Sequence, residues 1–141
     1  MDYSQLPDYM EAKELRPLFL NILDRDCLEK GWDPEYVLEQ IYELSLRQVY
    51  NCEPVQEEIK AQVNSFVLEN MNVESQNGMD TIMAIVPLLH LEEVYWTIVR
   101  KLPSVKNPQV VALVNRCRKD YGKNFSDPDA ESMDADLTKL V

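Results

Sequence analysis

Apolar residues recur every three or four positions through most of the chain, which is the period of an amphipathic α-helix. The segment 54–72 shows the pattern most clearly. At about 100° per residue its apolar side chains share one arc of about 120°, and they are Val55, Ile59, Val63, Phe66 and Val67. The polar residues of the segment, among them Lys60 and Asn64, lie outside that arc. Similar stripes in 91–102 and 108–121 predict half-buried helices there as well.

Proline and glycine mark the predicted helix boundaries. Pro34 and Pro108 each follow an Asp or Asn residue. Such a side chain caps the exposed N–H groups of a first turn, where proline is also tolerated. Pro54 follows a glutamate, which is a poorer cap. Gly31 and Gly122 each follow a helical stretch, which predicts a left-handed residue at each C-terminus.

Together these signals predict an all-α fold. The predicted helical segments are 5–14, 17–30, 34–51, 54–72, 79–90, 91–102 and 108–121. Pro87 would remove a hydrogen bond from a strand ladder, so we expect two short helices to meet there rather than a buried strand. We expect one compact bundle of about six or seven helices over residues 1–125.

Two further features complete the predicted organisation. Residues 126–141 form an acidic C-terminal tail, within which 128–139 can form a short terminal helix. The Asp, Glu or Asn residues before four prolines lie at 33, 53, 107 and 127, so the members of each pair are 20 residues apart. A short HEAT-like array of helical pairs is therefore the alternative to a compact bundle.

The composition is that of an ordinary globular domain. The chain has 141 residues, of which 45% are apolar and 28% charged, so it can build one hydrophobic core. No apolar run approaches the roughly 20 residues of a membrane-spanning helix, and the first residues lack the features of a signal peptide. The three cysteines are scattered and odd in number, which indicates reduced thiols. We therefore expect a cytoplasmic protein without a membrane segment.

Charge is distributed unevenly along the chain. The formal net charge is −11; residues 1–70 carry −9, residues 91–125 carry +4 and the tail 126–141 carries −4. An acidic protein repels nucleic acid and favours a basic protein as its partner. The basic stripe within 100–123 supports an alternative, binding of nucleic acid through phosphate contacts. The tail has the opposite charge, so we expect it to dock on that stripe and cover it.

The chain lacks the residues that most catalytic and cofactor sites need. His90 is the only histidine, so a metal site built on several histidines is excluded. It also follows an apolar run, which is typical of a structural histidine. With three glycines the sequence holds none of the glycine-rich phosphate loops. We therefore expect no catalytic residue, no cofactor and no metal ion, and hence a protein that is not an enzyme.

One outward face of the segment 34–51 mixes carboxylates with aromatic and aliphatic side chains. Within an arc of about 100° its members are Glu35, Tyr36, Glu39, Glu43, Leu46 and Tyr50. The core-facing side of the same helix comprises Val37, Leu38, Ile41, Leu44 and Val49. Asp24 and Asp26, at the end of the preceding helix, extend the same negative field.

Tyrosines among carboxylates suit the centre of an interface with a basic partner. The ring offers a large rigid surface with a polar tip, and the charges speed the encounter. In the alternative arrangement, Tyr36, Leu46 and Tyr50 pack under a neighbouring helix and only the glutamates face water.

The sequence therefore predicts a binding protein that neutralises a basic protein partner. An immunity protein that blocks a nuclease toxin, or an inhibitor of another nucleic-acid-binding protein, acts in this way. Two alternatives remain at this stage. One is a helical adaptor or regulatory subunit with another kind of partner, and the other is a nucleic-acid binder that uses the stripe within 100–123.

Overall fold

The computed structural model describes residues 2–24 and 31–125, and within these ranges the chain is helical without any strand. The helices of the described ranges are α1 (Ala12–Ile22), α2 (Pro34–Tyr50), α3 (Glu57–Asn70), α4 (Gln76–Leu89), α5 (Glu92–Lys101) and α6 (Pro108–Tyr121). Short 3-10 turns cover Tyr3–Gln5, Leu102–Ser104 and Gly122–Asn124. The predicted all-α bundle is confirmed. The tail 126–141, its predicted helix and its predicted docking lie outside the described residues.

Helices that are two apart in the chain pack side by side. One row contains α2, α4 and α6, and the other contains α1, α3 and α5. Contacts of α1 with α2 and of α4 with α5 join the two rows. The same arrangement of helices is found in stacked arrays of helical pairs. In such an array the intervals would be equal, whereas the helices of the first row here begin at residues 34, 76 and 108.

The core lies between the rows and follows the predicted stripes closely. All the apolar residues predicted for α3 are buried or, for Val55, half-buried, and those of α5 and α6 pack against the same core. The prediction from the helical period is wrong at Asn64. This residue lies outside the apolar arc, yet its side chain is buried. It is buried because α5 packs against α3 from that side.

The predicted helix starts at Pro34 and Pro108 are confirmed. The Asp33 carboxylate accepts the backbone N–H of Glu35 at 3.0 Å, and the Asn107 side chain accepts that of Gln109 at 3.0 Å. These bonds satisfy N–H groups that the first turn leaves unpaired.

The predicted start at Pro54 is wrong, because α3 begins at Glu57. Side chains at the end of α2 hold the intervening turn in another conformation. Asn51 accepts the backbone N–H of Glu53 at 2.8 Å, and Gln48 donates to the carbonyl of Glu53 at 2.8 Å. Cys52 has a φ of 61°, so the chain cannot continue as a helix there.

The predicted helices 5–14 and 17–30 are also wrong over their described residues, and the part of the second at 25–30 lies outside them. A single helix, α1, runs from Ala12 to Ile22 and passes through Pro17. It begins at residue 12 because Glu11 and Glu14 form a capping box, in which each satisfies a backbone N–H of the other. The chain ahead of it is irregular, with the 3-10 turn Tyr3–Gln5 and bends at Leu6 and Asp8.

No break occurs at Pro87, where two helices were expected to meet, because α4 continues to Leu89. A proline leaves the carbonyl four residues earlier without its helical partner. That carbonyl belongs to Met83, and the Tyr121 hydroxyl of α6 donates a hydrogen bond to it at 2.9 Å. A side chain from another helix therefore replaces the bond that the proline removes.

Of the two predicted left-handed glycines, Gly31 has a positive φ and Gly122 does not. His90, not a glycine, ends α4 in the left-handed conformation, with a φ of 57°. Gly31 does have a positive φ of 87°. The prediction for Gly122 is wrong, since its φ of −60° is ordinary. Glycine is required there for space, because a Cβ atom would overlap the hydroxyl of Tyr95.

Candidate protein-binding surface

An irregular N-terminal segment, residues 2–10, lies along α2. The buried guanidinium of Arg47 holds it by donating to the backbone carbonyls of Leu6 at 2.8 Å and of Pro7 at 2.9 Å. At the two ends of the segment, the backbone N–H of Tyr3 donates to Gln40 at 2.7 Å, and Asn51 donates to the carbonyl of Met10 at 3.1 Å. One side of α2 is therefore buried by polar contacts that the hydrophobic pattern does not reveal.

Glu43 belongs to this contact. Its carboxylate accepts a hydrogen bond from Arg47 at 2.8 Å, one helical turn away, and its side chain is half-buried. A buried guanidinium needs such a partner, because an unpaired charge in the interior is costly. Glu43, although predicted as an interface residue, is thus already engaged within the protein.

The first turn of α2 is engaged with α4. The half-buried carboxylate of Glu35 accepts a hydrogen bond from the Ser75 hydroxyl at 3.0 Å, next to the first turn of α4. Tyr36 is half-buried and packs edge-to-face on Trp32, with ring centroids 5.7 Å apart. These two predicted residues therefore contribute mainly to packing.

The remaining outward side of α2 forms a continuous row between the N-terminal segment and α4. Its members are Glu39, Tyr42, Leu46 and Tyr50, which we call the acid–tyrosine strip. Glu39 is exposed, Tyr42 and Leu46 are half-buried, and Tyr50 is 60% exposed. Spacings of three and four residues place them on one face over roughly 16 Å. Tyr50 is thus not packed under another helix.

Two further apolar side chains are exposed at the Tyr50 end of the strip. Val49 was predicted to face the core, but it is 44% exposed and lines a shallow depression beside Leu88 and Leu89 at the end of α4. Tyr9 is 61% exposed. The bond between Asn51 and the Met10 carbonyl brings the adjacent Tyr9 to the same end of the helix. Sequence reasoning missed Tyr9 because it placed this residue within a helix.

A shallow depression opens beside the other end of the strip, between α2 and α4. It has a volume of about 230 Å³ and is lined by Glu39, Tyr42, Asp80, Thr81 and Ala84. Two carboxylates thus flank a mainly apolar hollow. Tyr42 lies three residues from Glu39 and four from Leu46, a spacing that the sequence already displays. Asp80 could not be found in this way, because the packing of α4 places it there.

The acidic residues ahead of α2 are placed only in part. Asp24 follows α1 and is exposed, and Asp26 lies outside the described residues.

Among the basic residues, Arg116, Lys119 and Lys123 are exposed, as expected for the outward side of α6. Residues of the predicted stripe therefore remain accessible to a ligand.

The aromatic residues around the end of α6 pack on one another, and among them His90 stays partly exposed. Phe125 stacks on Tyr95 with ring centroids 4.7 Å apart, and on His90 with centroids 4.6 Å apart. His90 also lies 2.7 Å from the carboxylate of Glu92. Burial raises the pKa of the Tyr95 hydroxyl, and the nearby Arg118 guanidinium opposes this rise. His90 therefore has a packing role at the end of α4.

No known protein family, curated protein or solved structure matches this chain. Within residues 2–24 and 31–125, no group of three or more His, Cys, Asp or Glu side chains is arranged to hold a metal ion. The helices of the same ranges are all too short or too polar to cross a membrane.

Proposed function

We propose that this protein is a non-enzymatic binding protein whose acid–tyrosine strip receives a basic protein partner. The observation that carries the proposal is the exposure of Tyr50, at 60%, on a helix that also presents Glu39 to solvent. A large ring held at the surface is the type of side chain that dominates binding energy at protein interfaces. The neighbouring exposed Tyr9 and Val49 enlarge that apolar surface.

The depression between α2 and α4 has the chemistry to anchor a lysine or arginine of the partner. The aliphatic stem of such a side chain would pack on Tyr42 and Ala84. Its cationic end would then lie between the carboxylates of Glu39 and Asp80. Long basic side chains bury their stems along apolar surface in this way while the charge stays at the rim.

The net charge of −11 also supports a basic partner, because it speeds the approach of a positively charged protein. A nuclease, or another protein that binds nucleic acid, presents a positive cleft for phosphate. Occupation of that cleft by an acidic helix would block it sterically and electrostatically without chemistry. We therefore propose an inhibitor of the immunity-protein kind, acting in the cytoplasm, where the scattered cysteines stay reduced.

The test uses the full chain as bait in extracts of its host, followed by quantitative mass spectrometry. We expect a basic protein to be captured by the parent and lost with Tyr50→Ala. In a titration with that protein, Tyr50→Ala should weaken binding by about 2 kcal/mol or more, roughly 30-fold. Its melting temperature should stay close to that of the parent, because Tyr50 is exposed.

Glu39→Lys tests the electrostatic part of the proposal. We expect a slower association rate and a weaker dependence on salt, since a steering charge is reversed. Glu69→Lys is the matched control, because Glu69 is exposed on α3 in the other row and the net charge changes equally. Equal effects of the two reversals would leave only a general charge effect and contradict the assigned surface. A strong loss of stability with unchanged affinity in Tyr50→Ala would do the same.

A further inference from the structure

A polar groove lies between α3 and α5, in the row of helices that does not contain the acid–tyrosine strip. Its volume is about 440 Å³, within the usual range of small-molecule sites. The lining side chains are Lys60, Asn64, Glu92, Glu93, Trp96 and Arg100. An indole, an amide and charges of both signs therefore converge on one concave surface.

Two of these side chains carry buried polar atoms without a hydrogen-bond partner. They are Asn64 Oδ1, an acceptor, and Trp96 Nε1, a donor. Asn64 is only 8% exposed, and each of the two atoms exposes less than 1 Å². Most buried polar atoms in proteins are paired, since an unpaired one costs free energy. Two residues that line the same groove therefore carry an unpaired donor and an unpaired acceptor, which a ligand with both functions could satisfy.

We propose that this groove binds the amide group of a small zwitterionic ligand, the chemical class of carboxamide amino acids and dipeptides. An amide carries a carbonyl oxygen and an N–H close together. The oxygen would accept from Trp96 Nε1, and the N–H would donate to Asn64 Oδ1. An ammonium group suits the carboxylates of Glu92 and Glu93, and a carboxylate group suits Lys60.

Each of the two atoms exposes less than 1 Å², so side chains at the groove must rotate before a ligand can reach them. Lys60 and Glu93 are long and flexible, and both line the groove. Glu93 is exposed and Lys60 is half-buried. Rotation of these two side chains opens the groove without movement of the helices. The amide then supplies the hydrogen bonds that the free protein lacks, which makes binding favourable.

The indole N–H of Trp96 gives a direct reading of the site. The chain has two tryptophans, so a proton–nitrogen correlation spectrum contains two indole signals, and Trp32 serves as the internal control. Trp96→Phe assigns the signals. With the full chain and L-glutamine up to about 10 mM, we expect a saturable shift of the Trp96 signal and none of the Trp32 signal. L-Glutamate, which has the same shape without the amide N–H, should bind at least about tenfold more weakly.

Glycylglycine distinguishes the two sources of the amide. A saturable shift of Trp96 with this probe assigns the site to peptide groups, and a shift with L-glutamine alone assigns it to side-chain carboxamides. Both results support the proposal. The proposal is overturned when neither probe moves the Trp96 signal, or when L-glutamate moves it as readily as L-glutamine.

Asn64→Leu separates ligand binding from a buried water molecule. Leucine has a similar volume and no polar atom, so the free variant should melt at or above the temperature of the parent. The shift with L-glutamine or glycylglycine should disappear. A variant that melts well below the parent, together with no shift by either probe in the parent, would mean that water pairs the two atoms. That outcome would exclude the proposed ligand site.

Discussion

At the scale of single residues, Tyr121 is decisive for the course of α4. Its hydroxyl bonds to the Met83 carbonyl, which Pro87 leaves without a helical partner. The same hydroxyl is half-buried, and burial raises its pKa, with the neighbouring Cys117 thiol raising it further. The neutral form is therefore the one that the folded protein stabilises. One phenol thus joins α6 to α4 at the position where the latter would otherwise be weakest.

We predict that Tyr121→Phe costs about 1–3 kcal/mol at neutral pH, because the buried Met83 carbonyl loses its partner. The pH dependence should also change. An ordinary tyrosine ionises near pH 10, so above this pH the unfolded chain loses the proton while the folded chain keeps it. Stability then falls as pH rises. Urea unfolding between about pH 8 and pH 11 should show a shallower fall in Tyr121→Phe. Parallel curves for the two proteins would contradict the raised pKa.

At the scale of elements, the N-terminal segment is fixed to α2 mainly through one side chain. Arg47 pairs with Glu43 and also donates to three carbonyls of the segment, and its side chain is almost completely buried. The segment has no helix of its own in which to satisfy those carbonyls. It is therefore ordered by a cation on another element rather than by local propensity.

We predict that Arg47→Met destabilises the protein by roughly 3–5 kcal/mol, the usual cost of removing one partner of a buried pair. Amide exchange over residues 3–10 should accelerate more than exchange in α6. Glu43→Gln is the matched control, because glutamine still offers Arg47 an acceptor, and its cost should be distinctly smaller. A loss below about 1 kcal/mol in Arg47→Met would show that the segment is held by other contacts.

The helix starts were predictable from the sequence where the signal is local. An Asp or Asn before Pro34 and Pro108 accepts an N–H of its own first turn, so the signal lies within a few residues of the helix start. The passage through Pro87 was not predictable, because it depends on a hydroxyl from α6. The start of α3 was missed for the same reason, since side chains at the end of α2 determine the turn before it.

The candidate surface was predictable to a similar degree. The helical wheel of α2 correctly placed Glu39 and Tyr50 on the outward side, but it wrongly placed Val49 towards the core. A wheel describes one helix alone. It could not show that Glu43 is paired with Arg47, because that arginine is buried by the N-terminal segment. Polar burial of this kind leaves no hydrophobic stripe in the sequence. Non-local contacts therefore decide which of several outward residues are available to a partner.

At the scale of the whole molecule, the charge of −11 opposes folding through mutual repulsion. We predict that raising NaCl from about 10 to 200 mM, which shortens the screening length several-fold, raises the melting temperature. A gain of about 1 kcal/mol corresponds to roughly 2–4 °C for a domain near this size. Sodium sulfate at equal ionic strength is the control. A rise that depends on the anion rather than on ionic strength would argue against charge repulsion as its cause.

The position of the N-terminal segment also decides how the protein should be handled. The backbone N–H of Tyr3 reaches Gln40, which follows Glu39 directly in α2. An affinity tag or fluorescent fusion joined ahead of Asp2 would therefore be attached close to the acid–tyrosine strip. Such an attachment would shield the surface proposed for binding and imitate an inactive variant. Baits and labelled samples should instead carry their additions at the other end of the chain.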